Sequence, residues 1–281
     1  MKPKLLFGIA ALAVAGCNEQ PAGEPIVRAE LGETANDDST PAATSANSEP
    51  DQAIVNSACR SVTFENVPLT HCTADPAEHR IGTRLGQVGS GPFRSLSAFA
   101  ETVDKQTIAF AMNAGMYGDD GNPIGYYVEE GDRLSELNRA DGPGNFHMKP
   151  NGVFFGTGGT WRILTADQFF SSVRDRPQFG TQSGPMLVID GELHPDIQDN
   201  GPSRAVRNGV GVSDDGKAHF VISNTTLSFG QLARFYRDEL KVKNALFLDG
   251  NVSSLWDPAS DRLDRGIIGP IIAVTKREIA Q

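Results

Sequence analysis

Short apolar runs, rich in Val, Ile, Phe and Leu and ended by Gly, Pro, Asn or Asp, recur along most of the chain. Runs of this length and composition predict short strands separated by tight turns. The predicted strands are residues 61–64, 67–70, 80–88, 107–112, 124–129, 133–137, 152–155, 160–164, 182–189, 209–213, 218–223, 245–248 and 271–275. We therefore expect an α+β fold with a strand-dominated, mixed and twisted sheet, flanking helices and a single domain over residues 53–281.

Three segments have helix signals. The clearest covers residues 228–240, where apolar residues recur every three or four positions behind Ser228, a good N-cap residue. Shorter helices are predicted over residues 95–103 and 165–173, each beginning near a Ser, Thr or Asp that can cap it.

The run at residues 245–248 is wholly apolar, which is typical of a buried strand. Asp249 and Gly250 follow it directly. A carboxylate at the end of a buried strand is costly unless a partner or a reaction uses it. Since binding and catalytic residues are often found on such loops, the sequence marks Asp249 as the leading candidate for a catalytic group.

Residues 1–16 have the features of a bacterial lipoprotein signal peptide. Lys2 and Lys4 precede an apolar stretch that is too short to span a bilayer. Cys17 follows small residues as in a lipobox, with an ordinary signal peptide and an incidental cysteine as the alternative. The lipobox interpretation predicts a bacterial cell-envelope protein, lipid-anchored to the membrane at Cys17, with a periplasmic domain.

Residues 17–52 contain eight acidic residues, one basic residue and few large apolar side chains. This composition predicts a disordered acidic tether. Much of the formal net charge of −10 belongs to this segment, so the charge says little about the ligand of the domain. Nothing in the sequence indicates a nucleic-acid partner.

Two of the three cysteines, Cys59 and Cys72, flank a predicted hairpin. An even pair in an oxidising compartment predicts a disulfide. A metal pair that includes His71 is the alternative, but no further ligands lie at zinc-site spacing.

Other polar groups lie where predicted strands begin or end. They are Asn113, His147, Lys149, Asn151, Gln182, Ser183 and Arg207. An arginine fork suits phosphate or carboxylate, and a histidine suits acid–base chemistry. Each group also has a structural explanation, such as an amide that bonds its own turn, a solvated histidine or a surface ion pair.

Residues 119–122, Asp-Asp-Gly-Asn, resemble part of a calcium loop but lack the remaining EF-hand spacing, so a plain turn is expected. No Gly-rich phosphate loop, Gly-x-Ser-x-Gly elbow or His-Glu-x-x-His helix is present in the sequence. We therefore predict no cofactor and assign no residue as a metal ligand. A divalent cation is the alternative that the sequence leaves open.

Taken in order, the strand-end motifs resemble the phosphodiester glycosidase (uncovering-enzyme-like) family, and in particular a bacterial branch of it. The resemblance covers about residues 60–275. The family signature Leu-Asp-Gly-Gly-Gly-Ser reads Leu-Asp-Gly-Asn-Val-Ser at residues 248–253. The motifs are Asn113-Ala-Gly-Met-Tyr117, Pro123-Ile-Gly125, Gly144-Asn-Phe146, Lys149-Pro-Asn-Gly-Val-Phe154, Thr181-Gln-Ser-Gly-Pro-Met186, Arg207-Asn-Gly-Val-Gly211, Phe229 with Phe235-Tyr-Arg-Asp238, and Ala245-Leu-Phe-Leu-Asp-Gly250 with Ser253-Ser254.

The resemblance implies an envelope-anchored hydrolase that cleaves a sugar-1-phosphodiester. Asp249 would act on the anomeric carbon or on water, and Arg207 and Lys149 would hold the phosphate. Weaker candidates for a second carboxylate are Glu129, Asp190 and Asp238. The implied substrate-binding residues are Asn113, Lys149, Asn151, Gln182, Ser183, Arg207 and Ser253.

Two other functions remain open from the sequence. The chain could be a noncatalytic lipoprotein that binds envelope glycans or glycan phosphates with the same residues. It could also be a structural or interaction protein whose motifs only shape the sheet. If the chain is the hydrolase or the noncatalytic binder, the expected ligand is a carbohydrate or a glycan phosphate.

Overall fold

The computed structural model describes residues 57–87, 89–249 and 252–277. These described residues form one compact unit. The predicted signal peptide, the lipidation at Cys17, the acidic tether, Gly250 and Asn251 lie outside the described residues. No helix in the described ranges is long and apolar enough to cross a membrane.

Strands dominate the described residues, as predicted, and three short α-helices accompany them. The helices are α1 (Leu96–Ala100), α2 (Ala166–Ser172) and α3 (Phe229–Arg234), and a π-helical turn (Phe235–Glu239) follows α3. The strands are β1 (Cys59–Phe64), β2 (Val67–Ala74), β3 (His79–Arg84), β4 (Gly86–Gln87), β5 (Gly91–Pro92), β6 (Ile108–Asn113), β7 (Tyr127–Glu129), β8 (Asp132–Ser135), β9 (Gly152–Thr157), β10 (Thr160–Thr165), β11 (Phe179–Ser183), β12 (Met186–Ile189), β13 (Glu192–Leu193), β14 (Asn208–Val212), β15 (Ala218–Ser223), β16 (Asn244–Phe247), β17 (Leu255–Asp257), β18 (Arg262–Leu263) and β19 (Ile271–Lys276).

The expectation of one mixed sheet is wrong, because the described strands form several antiparallel sheets. One sheet has seven strands in the order β1-β2-β15-β14-β16-β12-β13. Two sheets have five strands each, in the orders β10-β9-β11-β7-β8 and β18-β17-β6-β19-β3, and β4 pairs with β5. Tight turns with positive φ angles, for example at Asn66, Glu130 and Asp190, join consecutive strands. Strands joined by such short turns pair antiparallel.

The run at residues 182–189, predicted as a single strand, is divided between two sheets. Strand β11 ends at Ser183, and β12 begins at Met186 in the seven-stranded sheet. Pro185 lies between them and has no N–H group with which to continue the hydrogen-bonded ladder. The division brings the end of β11 against the chain that follows β16.

The helix caps are those expected from the sequence. Ser95 caps α1, Thr165 caps α2 and Ser228 caps α3. Thr165 and Ser228 each form a full capping box with the glutamine three residues later, which satisfies two N–H groups at the helix start.

Strand β16 is buried on both faces, as its apolar run predicted. Leu246 and Leu248 pack into the core between the sheets, whereas Ala245 and Phe247 pack against the side covered by α3. The apolar packing of this segment therefore ends at Asp249, which is itself buried. The predicted hairpin disulfide is also present, joining Cys59 and Cys72 at directly opposite positions of β1 and β2.

Candidate active site

A cavity of about 610 Å³ opens beside Asp249. Its walls come from four separate parts of the chain: Arg94, residues 116–119 with Ile124, residues 143–147, and Asp249. The Asp249 residue is 6% exposed. His147, the histidine considered for acid–base chemistry, lines the same cavity.

Asn208, at the start of β14, holds the backbone of Asp249. Its Oδ1 accepts a hydrogen bond from the Asp249 N–H at 3.2 Å, and its backbone carbonyl accepts one from Leu248 N–H at 3.3 Å. Its Nδ2 donates to Oδ1 of Asn113 at 2.8 Å. Asn208 is fully buried, so this amide ties the ends of two sheets together beneath the carboxylate.

Three residues predicted to bind substrate instead contact the backbone around Asp249. Oδ1 of Asn113 also accepts a hydrogen bond from Ser254 N–H at 2.8 Å. The Ser253 hydroxyl donates to the Asp249 carbonyl at 3.0 Å, and the Ser183 hydroxyl donates to the Leu248 carbonyl. These contacts hold the backbone of Leu248, Asp249 and Ser254.

Two further predicted residues hold the opposite wall, which we call the wall segment (residues 138–147). Oε1 of Gln182 accepts a hydrogen bond from Asn138 N–H at 2.9 Å, and its Nε2 donates to the Asn138 carbonyl at 2.6 Å. Nδ2 of Asn151 donates to the Phe146 carbonyl at 3.0 Å. Gln182 and Asn151 are both buried, and these contacts use their side chains to support the cavity wall.

The predicted phosphate ligands Arg207 and Lys149 do not line this cavity. The Arg207 guanidinium donates to the Leu227 and Ser203 carbonyls at 3.2 and 3.1 Å and stacks 3.6 Å from the centre of the Phe229 ring. It is 2% exposed, and burial lowers its pKa to about 10. The structure thus gives Arg207 a structural position on the α3 side of the sheet.

Lys149 lies on the outer side of the wall segment. Its Nζ donates to the Arg139 carbonyl at 2.9 Å and forms an ion pair with Asp141 at 2.6 Å. It lines a smaller separate cavity with Arg139 and Asp167. Its ammonium group therefore braces the outer face of the segment.

Arg94 is the cation that does line the cavity, and sequence reasoning missed it. Its Nη1 is buried and has no hydrogen-bond partner among the described residues. A Cβ on Gly121 would lie 2.2 Å from that nitrogen, so the absence of a side chain at Gly121 makes room for the guanidinium. Arg94 itself has a positive φ of 63° and accepts a hydrogen bond from Ile268 N–H at 3.0 Å.

Tyr117 lines the cavity together with Arg94 and Asp249. Its hydroxyl donates to the Ile267 carbonyl at 2.6 Å, and the Arg94 guanidinium lies 5.7 Å from the centre of its ring. Burial, and then the negative charge of Asp249, raise the pKa of Tyr117. The phenol is therefore neutral at physiological pH and responds to the charge on Asp249.

Asp119 is the second carboxylate that lines the cavity. It precedes a turn in which Asp120 accepts hydrogen bonds from the backbone and the side chain of Asn122 at 2.9 and 2.8 Å. Residues 119–122 thus form a turn. Nowhere in the described ranges do three His, Cys, Asp or Glu side chains form a group that could hold a metal ion.

The weaker carboxylate candidates lie elsewhere. Glu129 accepts a hydrogen bond from Leu85 N–H at 2.9 Å, lines another cavity, and has its pKa raised by burial. Asp190 lies in the β12–β13 turn. Asp238 forms an ion pair with Arg237 at 2.7 Å.

Comparisons with known proteins give a family, a bacterial relative and a solved structure of the same fold. A family model described as phosphodiester glycosidase matches residues 106–261. The "Uncharacterized protein YigE" of Escherichia coli (strain K12) is 34% identical over 185 residues, covering 66% of this chain and 72% of that protein. The region matched by the family model includes Asn113, His147 and Asp249, whereas Arg94 lies before it.

A solved structure with the same fold is the catalytic domain of zebrafish N-acetylglucosamine-1-phosphodiester alpha-N-acetylglucosaminidase, auto-inhibited by its pro-peptide. It covers 78% of this chain and 82% of its own chain with a TM-score of 0.54 and 16% sequence identity. At this identity the likeness is evidence for a shared fold.

Proposed function

Because the chain belongs to the phosphodiester glycosidase family, we propose that it hydrolyses glycosyl-1-phosphodiesters at the Asp249 cavity. The observation that carries the proposal is the convergence of a carboxylate, a cation and a titratable histidine on one cavity, namely Asp249, Arg94 and His147. The name of the zebrafish relative makes N-acetylglucosamine-1-phosphodiesters the first substrates to try.

In the proposed reaction the bond between the anomeric carbon and the phosphate oxygen breaks. Water supplies a hydroxyl to the sugar and a proton to the leaving phosphate, so the products are a free sugar and a phosphate monoester. Asp249 acts either as the nucleophile at the anomeric carbon or as the base that activates water. Its firmly held backbone suits either role, since a catalytic carboxylate must keep its position during the reaction.

Arg94 is the proposed phosphate ligand in place of Arg207 and Lys149. A guanidinium binds two phosphate oxygens at once and stabilises the charge that accumulates as the phosphate leaves. The place of Arg94 in the cavity lining together with Asp249 and His147 supports this role.

His147 is the proposed acid that protonates the leaving phosphate or its bridging oxygen. Its Nδ1 is 3.1 Å from the Ala140 carbonyl. If Nδ1 carries the hydrogen, that contact leaves Nε2 to exchange a proton with the substrate. Such help is a secondary contribution, since a phosphate monoester is already a good leaving group.

We also propose that the enzyme is held at the bacterial cell envelope through lipid on Cys17. The disulfide between Cys59 and Cys72 supports an oxidising compartment.

The test is a panel of glycosyl-1-phosphodiesters, beginning with N-acetylglucosamine-1-phosphodiesters, incubated with the full-length protein and its Asp249→Asn variant. We expect turnover by the wild type and a loss of about 10³-fold in kcat in Asp249→Asn, with a nearly unchanged melting temperature. Asp190→Asn is the matched control, because it makes the same chemical change in a turn outside the cavity. Wild-type turnover by folded Asp249→Asn would refute the catalytic assignment, and tight binding without turnover of any diester would favour a noncatalytic glycan-binding protein.

A further inference from the structure

A second cavity, of about 570 Å³, lies on the other side of the wall segment. It is lined by Tyr126, by residues of β8 and the loop after it, and by residues of α2 and the loop after α2. The lining includes Phe170 and four arginines: Arg133, Arg139, Arg174 and Arg176. None of these residues lines the Asp249 cavity. We call this second cavity the arginine cavity.

The positive charge of the arginine cavity is only partly compensated. Its lining contains two carboxylates, on Glu136 and Asp175, against the four guanidinium groups. Arg133 is paired with Glu136 at 2.8 Å, and Arg139 is paired at 2.9 Å with Asp167, which lies outside the lining. Over the described ranges, no carboxylate lies within ion-pair distance of Arg174 or Arg176. The arginines outnumber the carboxylates in the lining, and this local excess of positive charge favours an anionic ligand.

The aromatic part of the cavity offers a stacking surface. Phe170 is 60% exposed, and the Arg139 guanidinium lies 4.4 Å from the centre of its ring. Beneath it, Tyr126 and Phe169 pack with their ring centres 4.7 Å apart. An exposed ring beside guanidinium groups suits a ligand that has both a flat apolar face and negative charge.

The arginine cavity and the Asp249 cavity share the wall segment. Arg139 lines the arginine cavity, while residues 143–147 of the same segment line the Asp249 cavity. Oε1 of Gln182 accepts hydrogen bonds from both Tyr126 N–H and Asn138 N–H, at 2.8 and 2.9 Å. These bonds connect Tyr126, in the lining of the arginine cavity, to the first residue of the wall segment. A chain of sugars with repeated phosphates has the chemistry to occupy both cavities.

We propose that the arginine cavity is a second binding site for a phosphate-bearing glycan, in which the arginines bind the phosphate and Phe170 stacks against a sugar ring. The presence of an anion-binding site follows from the lining of the cavity. The choice of a glycan to carry the phosphate rests on the function proposed above. The site binds its ligand independently of hydrolysis at Asp249.

The experiment measures binding by calorimetry to full-length protein carrying Asp249→Asn, so that turnover does not consume the probe. The probes are a phosphodiester-containing mannan, the same mannan after removal of its phosphate, and inorganic phosphate. We expect the phosphorylated mannan to bind, and Arg174→Gln with Arg176→Gln to weaken that binding at least tenfold. The control is Arg60→Gln with Arg80→Gln, which removes the same charge from exposed positions that line neither cavity and is expected to leave the affinity unchanged.

The aromatic contribution is tested separately with Phe170→Ala, which removes an exposed side chain and is expected to leave the fold intact. We expect it to weaken binding of the phosphorylated mannan several-fold while leaving the weak binding of inorganic phosphate unchanged. Equal binding of the dephosphorylated mannan, or unchanged affinity in the double arginine variant, would overturn the proposal.

An oligonucleotide of thymidines serves as a competing polyanion. If it binds more tightly than the mannan and depends on the same arginines, the glycan assignment is wrong. Failure of the proposed hydrolysis is seen separately, as the absence of turnover by the wild type with intact binding at this site.

Discussion

Replacing Asn208 by alanine tests whether the buried amide network positions Asp249, the proposed catalytic carboxylate. The substitution removes the 2.8 Å hydrogen bond to Asn113 and the 3.2 Å hydrogen bond from Asp249 N–H. The Asn113 oxygen keeps Ser254 N–H as a donor, so the first loss costs about 1 kcal/mol of unfolding free energy. The second leaves a buried N–H without a partner and costs about 1–3 kcal/mol more.

We therefore expect Asn208→Ala to lower the free energy of unfolding by about 2–4 kcal/mol, measured by urea denaturation. We also expect kcat for the diester to fall about 100-fold, because a displacement of about 1 Å of a reacting group has an effect of that size. KM should change much less, since Asn208 is buried and does not line the cavity.

The matched control is Gln231→Ala. Gln231 also accepts two hydrogen bonds, from Ser228 N–H at 3.2 Å and from Arg204 at 2.8 Å, but it belongs to the cap of α3. It should lose about 1 kcal/mol of stability and keep its kcat. A destabilised Asn208→Ala protein with wild-type kcat, or an equal loss of kcat in Gln231→Ala, would refute the positioning role.

Three further predictions concern other residues. Arg94→Gln should lower kcat/KM about 10–100-fold, because a hydrogen bond to a charged group contributes about 1.5–3 kcal/mol. Arg94→Lys should recover part of the lost kcat/KM. Steady-state kinetics that show no change in Arg94→Gln would exclude Arg94 as the phosphate ligand. Arg207→Ala should lower the unfolding free energy by about 2–4 kcal/mol through loss of the Phe229 stacking and the buried hydrogen bonds, and KM should be unchanged. A large rise in KM would mean that Arg207 binds substrate. Burial lowers the pKa of His71 to about 4. The contribution of neutral His71 to the free energy of unfolding should therefore be fully present above about pH 6.5 and should fall by up to about 3 kcal/mol as the pH decreases towards 4, because the unfolded chain binds the proton first. Urea denaturation as a function of pH should show this loss, and His71→Leu should reduce it.

Local sequence patterns were sufficient for much of the fold. The apolar run at residues 245–248 is a strand buried on both faces, and Thr165 and Ser228 cap helices as their positions predicted. The assignment of strands to sheets was beyond such patterns, because pairing depends on contacts between distant segments. The run at residues 182–189 illustrates this limit, since a local apolar pattern does not state that the chain changes sheets at Pro185.

The candidate site was only partly predictable. Asp249 could be identified because a polar residue at the end of a buried strand is unusual. The partners of the side-chain amides were not predictable, since an asparagine at a strand end can equally well bind a ligand or form a hydrogen bond with buried backbone. The Oδ1 atom of Asn113 accepts a hydrogen bond from backbone. Arg94 had no local signature, because it reaches the cavity from the loop between β5 and α1, distant in sequence from Asp249, and its guanidinium packs against Gly121.

The central claim is that Asp249 promotes cleavage between the anomeric carbon and the phosphate oxygen. Hydrolysis of an N-acetylglucosamine-1-phosphodiester in ¹⁸O-labelled water tests it most directly, with mass spectrometry of both products. We predict that the label enters the released sugar at C1 in single-turnover reactions quenched before exchange, and that the phosphate monoester contains none. Label in the phosphate would mean that the phosphorus–oxygen bond is broken, and would contradict a glycosidase mechanism at this site.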